Sequence, residues 1–496
     1  MYTKRKVIVK MLGMFILALI LGACGGAQDA SRAYSRGMIN RGAIVPAENI
    51  RVHEYLNYYE QRFPIPDGDP VGLDLRLGNA TIPPTGGEVW LQIGIQAREA
   101  EDHIRTPLNL ALVLDASGSM DAPDKMPYLK QSLLVFLQTL EPEDIVSIVA
   151  YDTDAQLVYP ASFVGDKLWI EEVVHRIRPG AMTNLHAGMM LGFDQVDRNF
   201  DIRRNNRVLL LTDGIANVGE VDPRQIAEDA LFYNEKGIYL STIGLGLDMN
   251  DTLLSTLAQQ GNGAYHFVDS AQEMDKVFRK EADGLVERVA NDVRIQIKPS
   301  PMFDLVEMTG YEGVPPCEGV EIHMQPMGAG DSQVLMAKFI GSDGLFGAED
   351  VAEVTLVYED AFGQRTQQIG QSAQVMVANQ AVYKPVSDAE VQRNVTIVRS
   401  AQALQYIDQL YLGGEYLAAW QLAQDMELEL RNVARNTGDQ QMIDDADLFN
   451  RYQLTLANAL GYDPEFRGYD PTRSPGYDGQ PQRWDPDELP SIDLDR

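Results

Sequence analysis

Between residues 108 and 286 short apolar runs alternate with amphipathic stretches, and this alternation limits what the chain can fold into. Residues 110–114, 145–151, 157–159, 207–211, 238–244 and 265–268 read as strands. Residues 184–196, 223–236 and 250–259 read as helices, and Met126, Leu129, Leu133, Leu137 and Leu140 mark the apolar face of another. The runs at 110–114 and 207–211 lack polar alternation, so both of their faces must be covered. That pattern predicts a doubly wound, Rossmann-like α/β domain, with a mostly parallel sheet between two helical layers. In such a sheet ligands sit outside the carboxyl ends of the strands.

The flanks differ. In 49–105 a helix carrying Val52, Tyr55, Leu56 and Tyr59 stops at Pro64 and Pro66, and alternating segments at 73–77 and 89–96 follow. Residues 288–385 return to β character at 293–298, 334–339, 351–358 and 374–377. These strands are expected to pair with those preceding the α/β unit (106–287), making it an insertion in a β-sandwich. Ser387-Asp-Ala-Glu390 is a capping-box sequence opening a helical region, 386–460, broken at Gly413-Gly414 and Thr437-Gly438 into three helices. Residues 461–496 hold six Pro and three Gly-Tyr-Asp copies, and read as a disordered acidic tail.

At the start of the chain Lys4, Arg5, Lys6 and Lys10 precede an apolar run, 11–21, of signal-peptide length and too short to span a membrane comfortably. It ends in Leu21-Gly22-Ala23-Cys24, which resembles the bacterial lipobox. The resemblance implies that 1–23 is a signal peptide, that Cys24 is lipidated, and that the chain is anchored in the cell envelope. Gly25, where Asp would suggest inner-membrane retention, favours the outer membrane or the surface. Residues 24–48, aperiodic and rich in small residues and Arg, read as a flexible tether. With Cys24 acylated, Cys317 is left as a small buried residue without a partner in the chain. The 72 acidic against 41 basic residues, net −31, exclude nucleic acid as a partner. Two Cys and six His exclude a disulfide framework and a Cys-rich zinc site.

The chemistry is concentrated in Leu110-Ala-Leu-Val-Leu-Asp115-Ala-Ser117-Gly-Ser119-Met120. A strand runs straight into Asp-x-Ser-x-Ser, placing one carboxylate and two hydroxyls at the sheet's ligand edge. Thr183, in Gly180-Ala-Met-Thr-Asn184, and Asp213, in Leu209-Leu-Leu-Thr-Asp213-Gly214, should reach the same edge. Hydroxyls with one or two carboxylates suit a hard dication such as Mg²⁺, which takes about six oxygens. They also leave a vacancy that a partner's carboxylate can fill.

These residues resemble a von Willebrand factor type A domain over 108–286. Asp115, Ser117, Ser119, Thr183 and Asp213 match the five positions of its metal-ion-dependent adhesion site. Asn49-Ile-Arg-Val-His-Glu-Tyr-Leu-Asn-Tyr-Tyr59, Asn291-Asp-Val-Arg-Ile-Gln-Ile-Lys298 and Thr309-Gly-Tyr-Glu312 are similar to the flanks of that domain in bacterial YfbK-like lipoproteins, although Gly313-Val-Pro-Pro replaces an Arg-bearing loop. The resemblance implies Ser117, Ser119 and Thr183 as hydroxyl ligands of Mg²⁺ or Mn²⁺, with Asp115 and Asp213 acting directly or through water. It implies a non-enzymatic module that captures an acidic side chain of a protein. Two alternatives stand beside it. One is a metal-assisted hydrolase with His186 or Asp152 as base; the other is an envelope scaffold stabilised by the metal. Gly244-Leu-Gly246 lacks the third glycine of a dinucleotide loop and reads as a turn. His186 reads as a helix-face residue, Asp152 and Asp154 as a solvated loop, and Leu404, Leu410, Leu417 and Trp420 as core.

Overall fold

The computed structural model describes residues 30–460, except 100–105, 124, 166, 269–273, 275–276, 279–287, 311–314, 316–317, 325, 362–364 and 380–382. The signal peptide, Cys24, Cys317, the Gly-Tyr-Glu loop beyond Gly310 and the acidic tail lie outside the described residues. The chain opens with α1 (Ala30–Asn40), α2 (Val52–Tyr58), β1 (Val71–Leu77), β2 (Thr81–Ile82) and β3 (Gly87–Ala97). The α/β unit runs β4 (Leu108–Asp115), α3 (Met126–Thr139), β5 (Ile145–Tyr151), β6 (Ala155–Phe163), α4 (Lys167–Arg176) and α5 (Leu185–Asp197). It continues through β7 (Asn205–Thr212), α6 (Pro223–Glu235), β8 (Tyr239–Leu245), α7 (Asp251–Gln260) and β9 (Asn262–Val268). Strands β10 (Arg288–Pro299), β11 (Phe303–Met308), β12 (Val320–His323), β13 (Met327–Gly328), β14 (Ser332–Gly341), β15 (Ala348–Asp360) and β16 (Thr366–Val377) follow. Helices α8 (Ala389–Leu412), α9 (Tyr416–Thr437) and α10 (Gln440–Ala459) come last.

The central sheet has the order β6-β5-β4-β7-β8-β9. Neighbours are parallel except the β5–β6 hairpin. Every residue of β4 and β7 is buried, as their unbroken apolar runs require. At about 1.5–3 kcal/mol for each large apolar side chain removed from water, these two strands make a stiff floor. The chain leaves β4 in one direction along the sheet and returns through β7 in the other, so the switch point lies between them. Helix α5 lies close over this floor because Gly188 and Gly192 carry no side chain: a Cβ there would stand 2.4 Å from Tyr151 and from Val113.

The expected insertion is present. Strand β3, before the α/β unit, pairs antiparallel with β14, after it, from Gly87↔Gly341 to Gln96↔Ser332. This builds the sheet β1-β3-β14-β11, which packs on a second sheet, β12-β10-β15-β16-β2, through Leu91, Ile93, Ile95, Ile295, Ile297 and Leu356. The first sheet's other face, with Trp90, Val334 and Met336, is covered by the C-terminal helices and α2.

Two local expectations are corrected, and one helix goes unread in the sequence. Residues 30–40, expected within a flexible tether (24–48), form α1, with eight of its eleven residues buried. A helix buried nearly all round shows no amphipathic stripe, and Ala30, Ser31, Ala33, Ser35 and Gly37 keep it thin enough to fit. It wedges between the α/β unit, where Tyr34 meets the edge of Phe267 with ring centroids 5.4 Å apart, and α10, where Arg32 pairs with Asp445. Helix α4 carried too weak a pattern to be read, because it buries only Ile170 and Val174. The cap of α8 is Asp388, one residue past Ser387; its carboxylate accepts from the N–H groups of Glu390 and Val391, both at 3.0 Å.

Candidate functional site

Asp115 ends β4 with its side chain fully buried. Its Oδ1 accepts from the Ser117 N–H at 2.8 Å, a turn that folds the following serines back over the strand end. Its Oδ2 accepts from Thr212 Oγ1 at 2.6 Å and lies 3.4 Å from the Tyr151 hydroxyl, which is shared with the Leu211 carbonyl at 3.2 Å. Burial pushes the Asp115 carboxyl above the usual carboxylate range, and the donors from Ser117 and Thr212 draw it partly back. Tyr151, buried beside that carboxylate, is held well above its ordinary value, by burial first. It stays a neutral donor. Thr212 and Tyr151 thus orient Asp115, and the sequence reading singled out neither.

Asp213 follows β7 and is likewise fully buried. Its Oδ1 accepts from Ser119 Oγ at 2.7 Å and lies 3.5 Å from Ser117 Oγ, and the two serine oxygens are 3.1 Å apart. Thr183 arrives on the loop before α5. Its N–H donates to Asn217 Oδ1 at 2.8 Å, and its carbonyl accepts from the Asn217 N–H at 3.1 Å. A Cβ placed on Gly214 would stand 3.6 Å from Thr183 Oγ1 and 3.9 Å from Ser119 Oγ, so these hydroxyls flank one small space. All five residues singled out in the sequence therefore meet at the switch point between β4 and β7.

Whether this donor set fits a hard dication is testable on its spacing. Six oxygens about 2.0–2.1 Å from Mg²⁺ form an octahedron with edges of roughly 2.9 Å. The 2.7, 3.1 and 3.5 Å separations among Ser117, Ser119 and Asp213 bracket that edge. Two carboxylates and three hydroxyls, all oxygen, also match its preference over softer metals. The residues fit. Asp115, Ser117, Ser119, Thr183 and Asp213 would hold the ion, which would supply a positive charge open to an incoming carboxylate. Among the described residues no group of three or more His, Cys, Asp or Glu forms an alternative metal cluster.

A sixth residue, missed in the sequence, completes the electrostatics. Lys125, just before α3, reaches Asp213 Oδ2 at 2.7 Å. Its signal was only its position a few residues past the serines. Of the residues weighed in the sequence, His186 Nε2 pairs with Asp229 at 2.8 Å on the surface of α5, as an ordinary helix-face contact. Asp152, read as a solvated loop residue, is half-buried at the ligand edge. Its carbonyl accepts from the Asn184 N–H at 2.7 Å, and its side chain packs on Gly180. Met182 and Ile215, 44% and 56% exposed, stand beside Thr183 and Gly214 as an apolar rim.

Comparison with known proteins matches the fold. A model of the von Willebrand factor type A domain matches residues 109–280. Protein YfbK of Escherichia coli (strain K12) is 30% identical over 290 residues, covering 57% of this chain and 50% of that protein. Protein sll0103 of Synechocystis is 24% identical over 340 residues, covering 66% of this chain and 79% of that protein. The chain thus spans only half the length of YfbK. A solved structure, a von Willebrand factor type A protein from Catenulispora acidiphila, superposes with a TM-score of 0.52 at 16% identity, over 76% of this chain and 89% of that one, and supports the fold. Residues 109–280 match the von Willebrand factor type A domain, and over 290 residues the chain is similar to YfbK.

Proposed function

We propose that the chain is a non-enzymatic binding module that captures an acidic side chain of a protein partner through Mg²⁺ or Mn²⁺. Asp115, Ser117, Ser119, Thr183 and Asp213 hold the ion, and the lipidated Cys24 ties the molecule to the bacterial envelope, at the outer membrane or surface. One observation carries this reading. Two fully buried carboxylates and three hydroxyls converge at the switch point of the sheet, with Met182 and Ile215 exposed around them. Exposed apolar side chains beside such a polar centre are surface that a protein partner would bury as it reaches the ion.

The binding reading is preferred to the hydrolase alternative because, among the described residues, neither base weighed in the sequence makes a hydrogen bond to the site's hydroxyls. His186 is engaged by Asp229, and the Asp152 side chain packs on Gly180. The test is calorimetric titration with Mg²⁺ and Mn²⁺, paired with metal-dependent crosslinking in intact envelopes. The expected outcome is metal uptake and partner crosslinks by the natural chain, both absent in Asp115→Ala with an unchanged circular dichroism spectrum. Metal-independent crosslinks, or uptake retained in the variant, would overturn the proposal. For the anchor, Cys24→Ser is expected to release the chain from the membrane fraction.

A further inference from the structure

A groove opens beside the metal edge. It has a volume of about 460 Å³ and is lined by Ala116, Tyr151, Asp152, Trp169, Arg176 and Arg178 among others. Ala116 sits between the site residues Asp115 and Ser117, so groove and site share one loop. Trp169 is 54% exposed there, with the Arg176 guanidinium 6.0 Å from its ring centre. Arg176 also pairs with Glu172, an exposed contact of the weak kind that exchanges partners readily. An indole face with a guanidinium over it is a seat for a second aromatic ring. A ligand filling site and groove together therefore carries an aromatic residue next to a carboxylate.

The tail carries that pair at Trp484-Asp485 and, in a repeated tripeptide, three times more. Gly-Tyr-Asp occurs at 461–463, 468–470 and 476–478 and nowhere else. The first copy abuts α10 and Leu460. The third stands sixteen residues further on, a leash of up to about 55 Å. A compact body of this size has a radius of gyration of roughly 22 Å, so the leash reaches across much of the molecule. The segment 461–496 bears nine acidic and four basic residues, complementary to the arginines of the groove and to a bound dication. A net charge of −31 makes two copies of the chain repel, which favours the tail's own body over a neighbour's. Short flexible linkers supply effective concentrations in the mM range, so even a weak motif is populated.

We propose that Gly476-Tyr-Asp478 of the chain's own tail docks at the metal edge. Asp478 takes the ion's open position, and Tyr477 lies in the groove against Trp169 and Arg176. The tail is then a built-in competitor that any outside acidic ligand must displace. The inference rests on the metal-binding reading above.

The test places benzoylphenylalanine at Tyr477 in the full chain and irradiates with Mn²⁺ or with EDTA. Expected are intrachain crosslinks to residues 169–178 in Mn²⁺, falling about tenfold or more in EDTA and on Asp478→Asn, the loss that goes with removing a charge-assisted contact. An unchanged circular dichroism spectrum checks that Asp478→Asn keeps the fold. Calorimetric Mn²⁺ uptake on the same samples separates the two ideas. Uptake with EDTA-insensitive crosslinks, or with none, overturns the tail inference and leaves metal binding standing. Absence of uptake overturns the metal reading and the inference with it. Crosslinks joining isotope-heavy to isotope-light chains overturn the intramolecular docking.

Discussion

At the junction between the α/β unit and the helices, Asp445, Glu54 and Asp251 each face a guanidinium. At the C-terminal edge of the central sheet, Asp115 and Asp213 face hydroxyls and, between them, one ammonium. All five carboxylates are buried. Arg32 donates to Asp445 Oδ1, with Tyr59 on Oδ2 at 2.5 Å. Arg51 reaches Glu54 at 2.5 Å and Asp251 at 2.7 Å, and Tyr265 adds a donor to Asp251 at 2.6 Å. Burying a charge costs several kcal/mol unless it is paired. The junction carries its countercharge in the chain, whereas the sheet edge leaves part of it to something from solution. The first arrangement fixes how two units sit together; the second is what the proposed binding site needs.

The largest effect that tests this contrast is at the junction. Arg32→Met leaves Asp445 buried with a hydroxyl as its remaining named donor, and should destabilise by about 3–5 kcal/mol, measured by urea or thermal unfolding. Asp213→Ala, in metal-free buffer, removes a carboxylate that was only half compensated, and is expected to leave the melting temperature unchanged or raise it. Equal destabilisation by the two variants would erase the distinction. With Mn²⁺ present the order inverts in a different observable. Asp213→Ala should weaken metal binding by about 100-fold or more, roughly 2.7 kcal/mol, while Arg32→Met binds metal normally wherever it is folded.

The junction has its own imbalance, since Arg51 serves two carboxylates. Burial pushes the Glu54 carboxyl up to about 7, and Arg51 and the Ser31 N–H only partly oppose it. A folded value above the unfolded 4.5 means that the folded state holds the extra proton between those pH values. Stability is therefore greatest below about 4.5 with respect to this group and declines as pH rises towards 7, by about 2–3 kcal/mol. Glu54→Gln should flatten that slope. A slope unchanged in the variant would assign the dependence to another group.

These two regions were unequally legible in the sequence. The edge could be read because its chemistry follows strand ends: unbroken apolar runs place Asp115 and Asp213, and a local Asp-x-Ser-x-Ser places the serines. The insertion of the α/β unit was legible too, since β character resumes at 288 where it broke off near 97. The junction could not be read. Its pairs join residues far apart in sequence, such as Arg32 with Asp445 and Arg51 with Asp251, and no periodicity records such contacts. Helix α1 was mistaken for tether because small residues buried on every side look like linker composition. Tyr151 and Thr212 hid inside strand patterns, where an aromatic or a β-branched residue needs no further explanation.

Lys125 sharpens the contrast most finely, because among the described residues it is the edge's one built-in countercharge. Its ammonium lies 2.7 Å from Asp213 Oδ2, where the carboxylate would otherwise face an arriving dication alone. It is 19% exposed at the side chain, so it can swing to water without repacking a core. An ammonium that stays near a bound dication repels it, and one that leaves forfeits its pair with Asp213; either way binding is opposed. Lys125→Met keeps the length and removes the charge. It should tighten Mn²⁺ binding by about tenfold, or roughly 1.4 kcal/mol, by calorimetry, with a small loss of stability in metal-free buffer. Lys125→Arg should bind metal like the natural chain. If Lys125→Met instead weakens uptake, the ammonium belongs to the binding machinery, and the edge is compensated in the manner of the junction after all.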